Sequence, residues 1–330
     1  KGLHPLTLVD GYRKSLETAT DQINLDSIKI DDKKLLLVAE TALTGKGTEG
    51  ALDLFSSIIV KSLKSISEKQ PIPRAENIAM FKSNTGNIHD SRIIQGVAFR
   101  RRVLMDSLPN KLSDVKVAVI SGDIKIRKMT RTAEIQITSA DQLEAFVDAE
   151  QDRKNSISQS LVDSGASLVL CGGEIDRDIL HNLADNNILA VGELDSSEIE
   201  NSASATGAKI VDSIADIERK DLGFCGSVLW ERNEASDMVE DIIRIDGCKK
   251  PGLVTIEVGG AGEIATEEII RGLHDGLRAV SLAIEDQEIL PGGGAIHSRI
   301  ANAVRVSSES EPGRARLAME AFSRAMETIP

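Results

Sequence analysis

The sequence predicts a multidomain α/β protein in which helical segments at the front and the back of the chain enclose an inserted α/β domain. From residue 167 to residue 211, apolar runs of strand length alternate with helical patterns, which is typical of a mixed layer with parallel neighbouring strands. Before residue 66 and after Ala265, apolar residues instead recur at helical spacing. The chain therefore leaves a helical body, builds a domain around a sheet, and returns.

The composition limits the class of protein. A chain of 330 residues has room for about two domains and a sizeable core. It is 41% hydrophobic with a mean hydropathy of -0.11, which fits a soluble globular protein. The net charge of -13 argues against nucleic acid as a partner, because phosphate binding needs a basic surface.

Neither a membrane segment nor a metal centre is predicted. No uncharged run approaches the ~18 residues of a membrane span, and no signal-peptide pattern opens the chain, so we expect a cytoplasmic protein. The three cysteines, Cys171, Cys225 and Cys248, are too few and too scattered for a disulfide framework or a CxxC metal site. Cys171 follows the apolar run 168–170, which favours a buried, unreactive thiol.

The front of the chain is predicted to be helical. Helices are expected over residues 5–22, 33–44 and 48–66. Leu8, Tyr12, Leu16 and Ala19 lie on one side of the first helix. Residues 67–75 contain two prolines and form a loop, and short apolar runs over 76–100 indicate strands and turns.

The middle of the chain alternates between the two kinds of element. Helices are predicted over 140–164, 176–185 and 196–205, and strands over 115–120, 133–137, 167–171, 188–191, 208–211, 227–231, 239–245 and 254–258.

A long amphipathic helix that begins at Thr266 is followed by the loop Leu290–Gly294. Its apolar stripe recurs at spacings of 4, 3 and 4 residues, at Leu273, Leu277, Val280 and Ile284. Asp275 points roughly 200° away from Leu273, at ~100° per residue. A carboxylate on a packed helix, followed by bare glycine amides, could serve a phosphate ester and the water that attacks it.

The alternative is an ordinary surface helix that ends in a turn. Arg271 and Arg278 flank Asp275 at the spacing of helical ion pairs, which is common on solvated faces. Lys46 lies between two glycines but lacks the GxxxxGK[ST] frame, so a solvated loop lysine and a phosphate sensor both remain open. Gly259–Gly262 does not match GxGxxG and acidic residues follow it, which favours a hinge or tight turn.

Short motifs recur in a fixed order through almost the entire chain. They are Gly2–Tyr12 (GLHPLTLVDGY), Thr41–Gly47 (TALTGKG), Gly96-Val97 with Pro109, Asp141–Phe146 (DQLEAF), Ser164–Ala166 (SGA), Ala203–Gly207 (ASATG), Asp221–Gly223 (DLG), Gly247–Lys249 (GCK), Leu273–Asp275 (LHD), Pro291–Ala295 (PGGGA) and Arg314–Ile329 (RARLAMEAFSRAMETI). In this order and at these separations, the motifs resemble those of a subunit of a group II chaperonin, the archaeal thermosome.

The resemblance implies three domains. Residues 1–40 and 290–330 would form the helical part of an equatorial, ATP-binding domain. Residues 41–98 and 250–289 would form an intermediate α/β domain, and residues 99–249 an inserted apical α/β domain with a helical protrusion.

The resemblance also implies a function, namely ATP-dependent protein folding inside a double ring, with Mg²⁺ and ATP as cofactors. Unfolded polypeptides would be the substrates, and homologous subunits would be the partners in the ring. By position, Asp275 resembles the aspartate that activates the water attacking the γ-phosphate, and Lys46 resembles the lysine that senses this phosphate. Gly292 and Gly293 resemble the backbone that lines the nucleotide.

The predicted helix over 140–164 would extend as the protrusion that closes the cavity lid. Its apolar residues Phe146 and Val147 are candidates for contact with unfolded substrate. Simple packing at the base of the helix is the alternative, because helices bury their apolar stripe.

The chain departs from the family pattern at several points. The Gly-Asp-Gly-Thr-Thr phosphate loop, the magnesium-binding segment and the ribose-contacting aspartate have no counterpart in these residues, and Gly192–Asp195 is acidic where the family is basic. We therefore expect either a piece of a longer subunit or a degenerate paralogue. A module that binds unfolded polypeptide without ATPase activity is the alternative function. An unrelated small-molecule α/β enzyme that uses the glycines at 259–262 is a third possibility.

Overall fold

The chain folds into two compact units. The computed structural model describes residues 4–67, 73–83, 86–126, 140–233, 240–249, 251–260 and 262–330. The terminal unit consists of Lys1–Val38 and Leu282–Pro330, and the central unit of Ala39–Ser281. Helices and sheets together confirm the prediction of a multidomain α/β protein. The division into equatorial, intermediate and apical domains stays a prediction.

The periodicity of apolar residues predicted most of the helices and strands. The helices of the described residues are α1 (Pro5–Asp26), α2 (Asp32–Leu43), α3 (Leu52–Ser67), α4 (Ala140–Ser164), α5 (Arg177–Asp185), α6 (Ser196–Thr206), α7 (Glu263–Asp286), α8 (Ala295–Glu309) and α9 (Ala315–Met326). Their strands are β1 (Ile28–Lys29), β2 (Ile78–Lys82), β3 (Arg92–Ile94), β4 (Val97–Arg100), β5 (Lys111–Ile120), β6 (Leu168–Cys171), β7 (Leu189–Val191), β8 (Ile210–Val211), β9 (Gly223–Asn233), β10 (Glu240–Asp246), β11 (Val254–Val258) and β12 (Glu288–Ile289). The predicted strand over 133–137 lies outside the described residues.

In the terminal unit, α1 packs against α8 and α9. The buried residues of α1 are all small: Gly11, Ser15 and Ala19. A Cβ atom at Gly11 would lie 2.6 Å from the Cβ of Ala318, so glycine allows α9 to approach α1 closely. Tyr12 and Leu16, which the periodicity groups with Ala19, are instead 46% and 61% exposed. The small residues, rather than the large apolar ones, form the packed side of α1.

The central unit contains a seven-stranded sheet in the order β4-β10-β9-β5-β6-β7, with β8 also paired to β5. The strands β5, β6, β7 and β8 are parallel to their partners within that group, which confirms the predicted parallel neighbours. The strand β6 is buried along its whole length. Continuous apolar strands of this kind occur where helices or loops cover both faces of a sheet.

A smaller sheet of the central unit has the order β2-β11-β3, in which β2 is parallel and β3 antiparallel to β11. A buried ion pair joins the two sheets. Arg244 on β10 donates from Nη2 to Oε1 of Glu257 on β11, at 2.7 Å. Arg92 on β3 and Glu231 on β9 extend the network from its exposed sides.

Candidate functional site

Asp275 lies on the exposed side of α7. The opposite side of this helix is packed, and Ile269, Leu273, Leu277 and Val280 are at most 2% exposed. The Asp275 side chain is 52% exposed. The predicted apolar stripe therefore orients the carboxylate towards solvent.

The turn over residues 44–47 presents Lys46 and has a defined backbone geometry. Gly45 and Gly47 have φ values of 79° and 72°, a left-handed conformation that other residues adopt with strain. The buried Thr48 donates from Oγ1 to the carbonyl of Leu43 at 2.8 Å, which anchors the end of the turn. The two glycines around the lysine are thus required by the shape of the turn.

Two glycines of α7 allow neighbouring elements to approach it. A Cβ atom at Gly272 would lie 3.3 Å from the Cβ of Lys46, so the lysine turn rests directly on the helix. A Cβ atom at Gly276 would lie 2.5 Å from Cδ1 of Ile59, so α3 also packs closely on α7. These contacts bring Lys46 beside Asp275.

Lys46 and Asp275 form an ion pair between residues far apart in the sequence. Lys46 Nζ donates to Asp275 Oδ2 at 2.6 Å. This hydrogen bond, together with the charge of Lys46, lowers the pKa of Asp275 below its usual value. Arg271, a predicted partner of Asp275 on its own helix, instead pairs with Glu268 at 2.9 Å. The pair is partly exposed, so it adds little stability and presents a carboxylate and an ammonium side by side to solvent.

The glycine loop that contains Gly292 and Gly293 belongs to the terminal unit and precedes α8. Gly293 and Gly294 have φ values of 64° and 80°, and Gly294, the N-cap of α8, has no side chain with which to cap its first turn. Among the described residues, and apart from the chain neighbours of each glycine, no heavy atom lies within 4 Å of a Cβ atom placed at Gly292 or Gly293. The loop therefore offers backbone amides at the start of a 15-residue helix, an arrangement that suits anions.

Phe146 and Val147 lie on the solvated part of α4. Residues 140–153 are exposed, and Phe146 and Val147 are 47% and 55% exposed. The helix becomes packed only near Leu161, which is fully buried. Before that point Lys154 pairs with Asp176 and Asp178 at the start of α5. Within the described residues, the apolar pair does not serve the packing of the helix base.

Comparison with known proteins identifies the family of the chain. The family model of the TCP-1/cpn60 chaperonins matches residues 1–330. The chain belongs to this family. It is similar to a group II chaperonin from Methanococcoides burtonii, solved as an open-state monomer, with a TM-score of 0.69 and 25% sequence identity. This similarity covers 100% of the chain and 76% of that structure.

Thermosome subunits are among the similar chaperonins. The subunit from Methanopyrus kandleri is 32% identical over 334 residues, and the beta subunit from Methanothermobacter thermautotrophicus is 33% identical over 329 residues. These alignments cover 99% of the chain but 61% and 60% of the two relatives. The chain thus spans about three fifths of the length of the curated relatives it matches.

Other features of the described residues bear on the site. Gly259 donates its backbone N–H to Ser91 Oγ at 3.0 Å, and a Cβ atom there would collide with the carbonyl of Asn87, so close packing accounts for this glycine. In the part of the chain that the structure describes, no group of three or more His, Cys, Asp or Glu side chains is placed to hold a metal ion. Across the same ranges, no helix combines the length and apolar composition needed to cross a bilayer.

Sequence reasoning missed the residues that bring the ion pair together. Gly272 and Gly276 lie four residues apart on α7 and provide space for Lys46 and Ile59. Their spacing is a detectable signal, because small residues at i and i+4 mark one side of a helix for close packing. The anchoring role of Thr48 has no such signal, since its hydroxyl acts on the carbonyl of a residue in the preceding helix.

Proposed function

We propose that this chain is the part of a chaperonin subunit that links ATP hydrolysis to the binding of non-native polypeptides. The observation that supports it is the Lys46–Asp275 pair, a carboxylate and an ammonium held 2.6 Å apart on a packed helix and a glycine turn. Family membership and the thermosome relatives agree with this proposal. Cytoplasmic location and assembly with homologous subunits into a ring are part of it.

The proposal divides the chain into three working parts. Residues 1–40 and 290–330 would contribute to the nucleotide-binding equatorial domain, in which the backbone of Gly292 and Gly293 would line Mg²⁺·ATP. Residues 41–98 and 250–289 would form the intermediate domain that carries Lys46 and Asp275. Residues 99–249 would form the apical domain.

The lowered pKa of Asp275 supports a role as an ionised hydrogen-bond acceptor. At neutral pH the carboxylate is ionised and can accept a hydrogen bond from a water molecule. A weakly basic carboxylate suits the positioning of the attacking water, because phosphoryl transfer with a loose transition state needs orientation more than early proton removal. Lys46 would offset the negative charge on the γ-phosphate. Hydrolysis would depend on movement of the intermediate domain, which would couple it to lid closure.

The test uses a chimera in which the Methanopyrus kandleri thermosome subunit supplies the segments beyond the span of this chain. Asp275→Asn should lower steady-state ATP turnover by about 10²-fold or more while nucleotide binding persists. Glu268→Gln is the matched control, since it removes an exposed, ion-paired carboxylate from the same helix. Turnover by the Asp275 variant equal to that of the control would disprove the catalytic assignment.

A second candidate function, the passive holding of unfolded chains, is favoured by the exposed apolar residues of α4. Leu143 is 50% exposed and lies beside Phe146 and Val147 on this helix. The 330-residue chain should then suppress aggregation of a denatured protein without ATP, and Phe146→Ser with Val147→Ser should weaken that effect. Ile264→Ser is the control, because this side chain is 89% exposed on a different helix. Equal suppression by both variants would exclude α4 as the binding surface.

A further inference from the structure

Two of the buried cysteines lie at the end of one antiparallel ladder: Cys225 is on β9, and Cys248 comes two residues after the end of β10. The register of β9 and β10 runs to the pair Ser227 and Asp246. It continues for one more step, since Gly226 donates its N–H to the carbonyl of Gly247 at 3.1 Å. Cys225 and Cys248 are the next residues on the two segments.

The backbone pattern makes this a close pair. The two segments stay in contact where the regular ladder ends: Gly247 has a φ of 71°, and a Cβ atom built on it would lie 3.1 Å from the Cα of Gly226. The N–H of Cys248 donates to the carbonyl of Gln95, at 2.9 Å, and not to β9. A disulfide requires Cα atoms roughly 4.4–6.8 Å apart, and the residues next to this close backbone contact are the candidates for it.

The pair lies where the chain passes between the two sheets of the central unit. One passage, at Gln95 and Gly96, leads from β3 to β4, and the other leads from β10 through Cys248 to β11. A Cβ atom at Gly96 would lie 3.1 Å from Sγ of Cys248, so the two passages are in contact. A covalent bond at Cys248 would therefore act on the connection between the sheets.

The surroundings of the thiols are apolar. Cys225 and Cys248 are 0% and 3% exposed and belong to one hydrophobic cluster. Burial raises the pKa of both thiols to about 12, and the neighbouring Cys225 contributes to the shift at Cys248. Thiols of this kind are protonated at neutral pH and react slowly. Cys171 is also buried, but the residue opposite it on β5 is Ile120.

We propose that Cys225 and Cys248 form a dithiol that sustained exposure to hydrogen peroxide converts into an intrachain disulfide. One thiolate attacks the peroxide O–O bond, which yields a sulfenic acid and one water after proton transfer. The second sulfur displaces the sulfenic oxygen as another water, so the two thiol hydrogens and both peroxide oxygens leave as water. Peroxide is reduced and the two sulfurs are oxidised.

The disulfide ties the start of β9 to the passage that leads into β11. It closes the loop that contains β10 and removes conformations from the unfolded chain, which raises stability. The reaction is slow and reversible by thiols, so the disulfide forms under prolonged oxidation rather than during brief exposure to peroxide. This inference is independent of the proposed ATPase function.

The test oxidises the folded 330-residue chain with hydrogen peroxide and then alkylates the remaining thiols under denaturing conditions. One alkylated cysteine, Cys171, is expected, together with a mass lower by two hydrogens before alkylation and a cross-linked peptide joining Cys225 to Cys248. The melting temperature should rise by about 5 °C or more, and a reductant should reverse the rise.

Single alanine variants provide the controls. Cys171→Ala should behave like the parent, whereas Cys225→Ala and Cys248→Ala should each lose the cross-link and the reversible rise in melting temperature. Circular dichroism before oxidation verifies that each variant is folded. Oxygen adducts without a cross-link, a disulfide that includes Cys171, a bond between two chains, or three thiols still free after oxidation would each overturn the proposal.

Discussion

The ion pair between Arg244 and Glu257 offers the sharpest test of how the central unit is stabilised. Arg244 donates from Nε to both carboxylate oxygens at 3.1 Å and from Nη2 to Oε1 at 2.7 Å. The two side chains are only 10% and 5% exposed. Burial alone would raise the pKa of Glu257, but the hydrogen bonds and charge of Arg244 outweigh it and hold that pKa below its usual value. Glu257→Gln removes the negative charge with little change of shape.

The expected loss of stability follows from the exclusion of water from the buried ion pair. Removing one partner of a buried pair leaves an uncompensated charge, at a cost of about 3–5 kcal/mol. Glutamine retains an acceptor oxygen, and Glu231 still accepts from Arg244 Nη1 at 2.5 Å. We therefore expect the lower end, about 3 kcal/mol. Arg92, which also reaches Glu257, is 56% exposed and adds little to this value.

Urea unfolding, monitored by tryptophan fluorescence, measures the loss of stability near the ion pair. Trp230, the only tryptophan of the sequence, lies on β9 opposite Ile243, the residue before Arg244. Glu231→Gln is the control, because Glu231 pairs with the same guanidinium but is 56% exposed and should cost about 1 kcal/mol or less. A change below about 0.5 kcal/mol for Glu257→Gln, or an equal loss in the control, would refute the reasoning.

Three further predictions concern packing and protonation. Gly276→Ala should destabilise the contact of α7 with α3 by about 1–3 kcal/mol, because its Cβ would lie 2.5 Å from Ile59 Cδ1. Gly292→Ala is the control and should unfold at the parent urea concentration, because no non-neighbouring atom of the described residues lies within 4 Å of its Cβ. Equal urea midpoints for the two variants would contradict the packing argument. Lys46→Met should raise the pKa of Asp275 towards its ordinary value of 3.8 in a carbon-13 NMR titration, and an unchanged pKa would show that Lys46 is not its cause. The folded pKa of Glu257 lies below the ordinary 4.5, so its contribution is present above pH 4.5 and disappears as the pH falls through the folded value; the parent should lose stability in that window faster than Glu257→Gln.

Local patterns predicted the elements well where burial of large apolar residues decides them. The bounds of α4 and β11 match the predicted ranges, since strand and helix periods differ and the flanking residues end each run. The packed side of α1 was not predicted. There the approach of α9 requires Gly11, Ser15 and Ala19, and small residues carry almost no hydrophobic signal.

The candidate site likewise has features that local patterns predict and one contact that they do not. The position of Asp275 opposite an apolar stripe was predictable from residues within two turns of it, and the glycines around Lys46 marked a tight turn. The contact between the two residues was not, because they are 229 positions apart and meet only through the packing of α3 and the lysine turn on α7. A local sequence pattern carries no information about contacts between residues so far apart.

The sequence by itself determined that this is a multidomain α/β protein of the chaperonin type, because element type depends on spacing and the family motifs lie in order along the chain. Tertiary structure decided which distant residues share a surface. It buried Glu257 against Arg244 and paired Lys46 with Asp275. Strand register and close helix packing set those neighbours, and both arise only when segments far apart in the chain exclude water together.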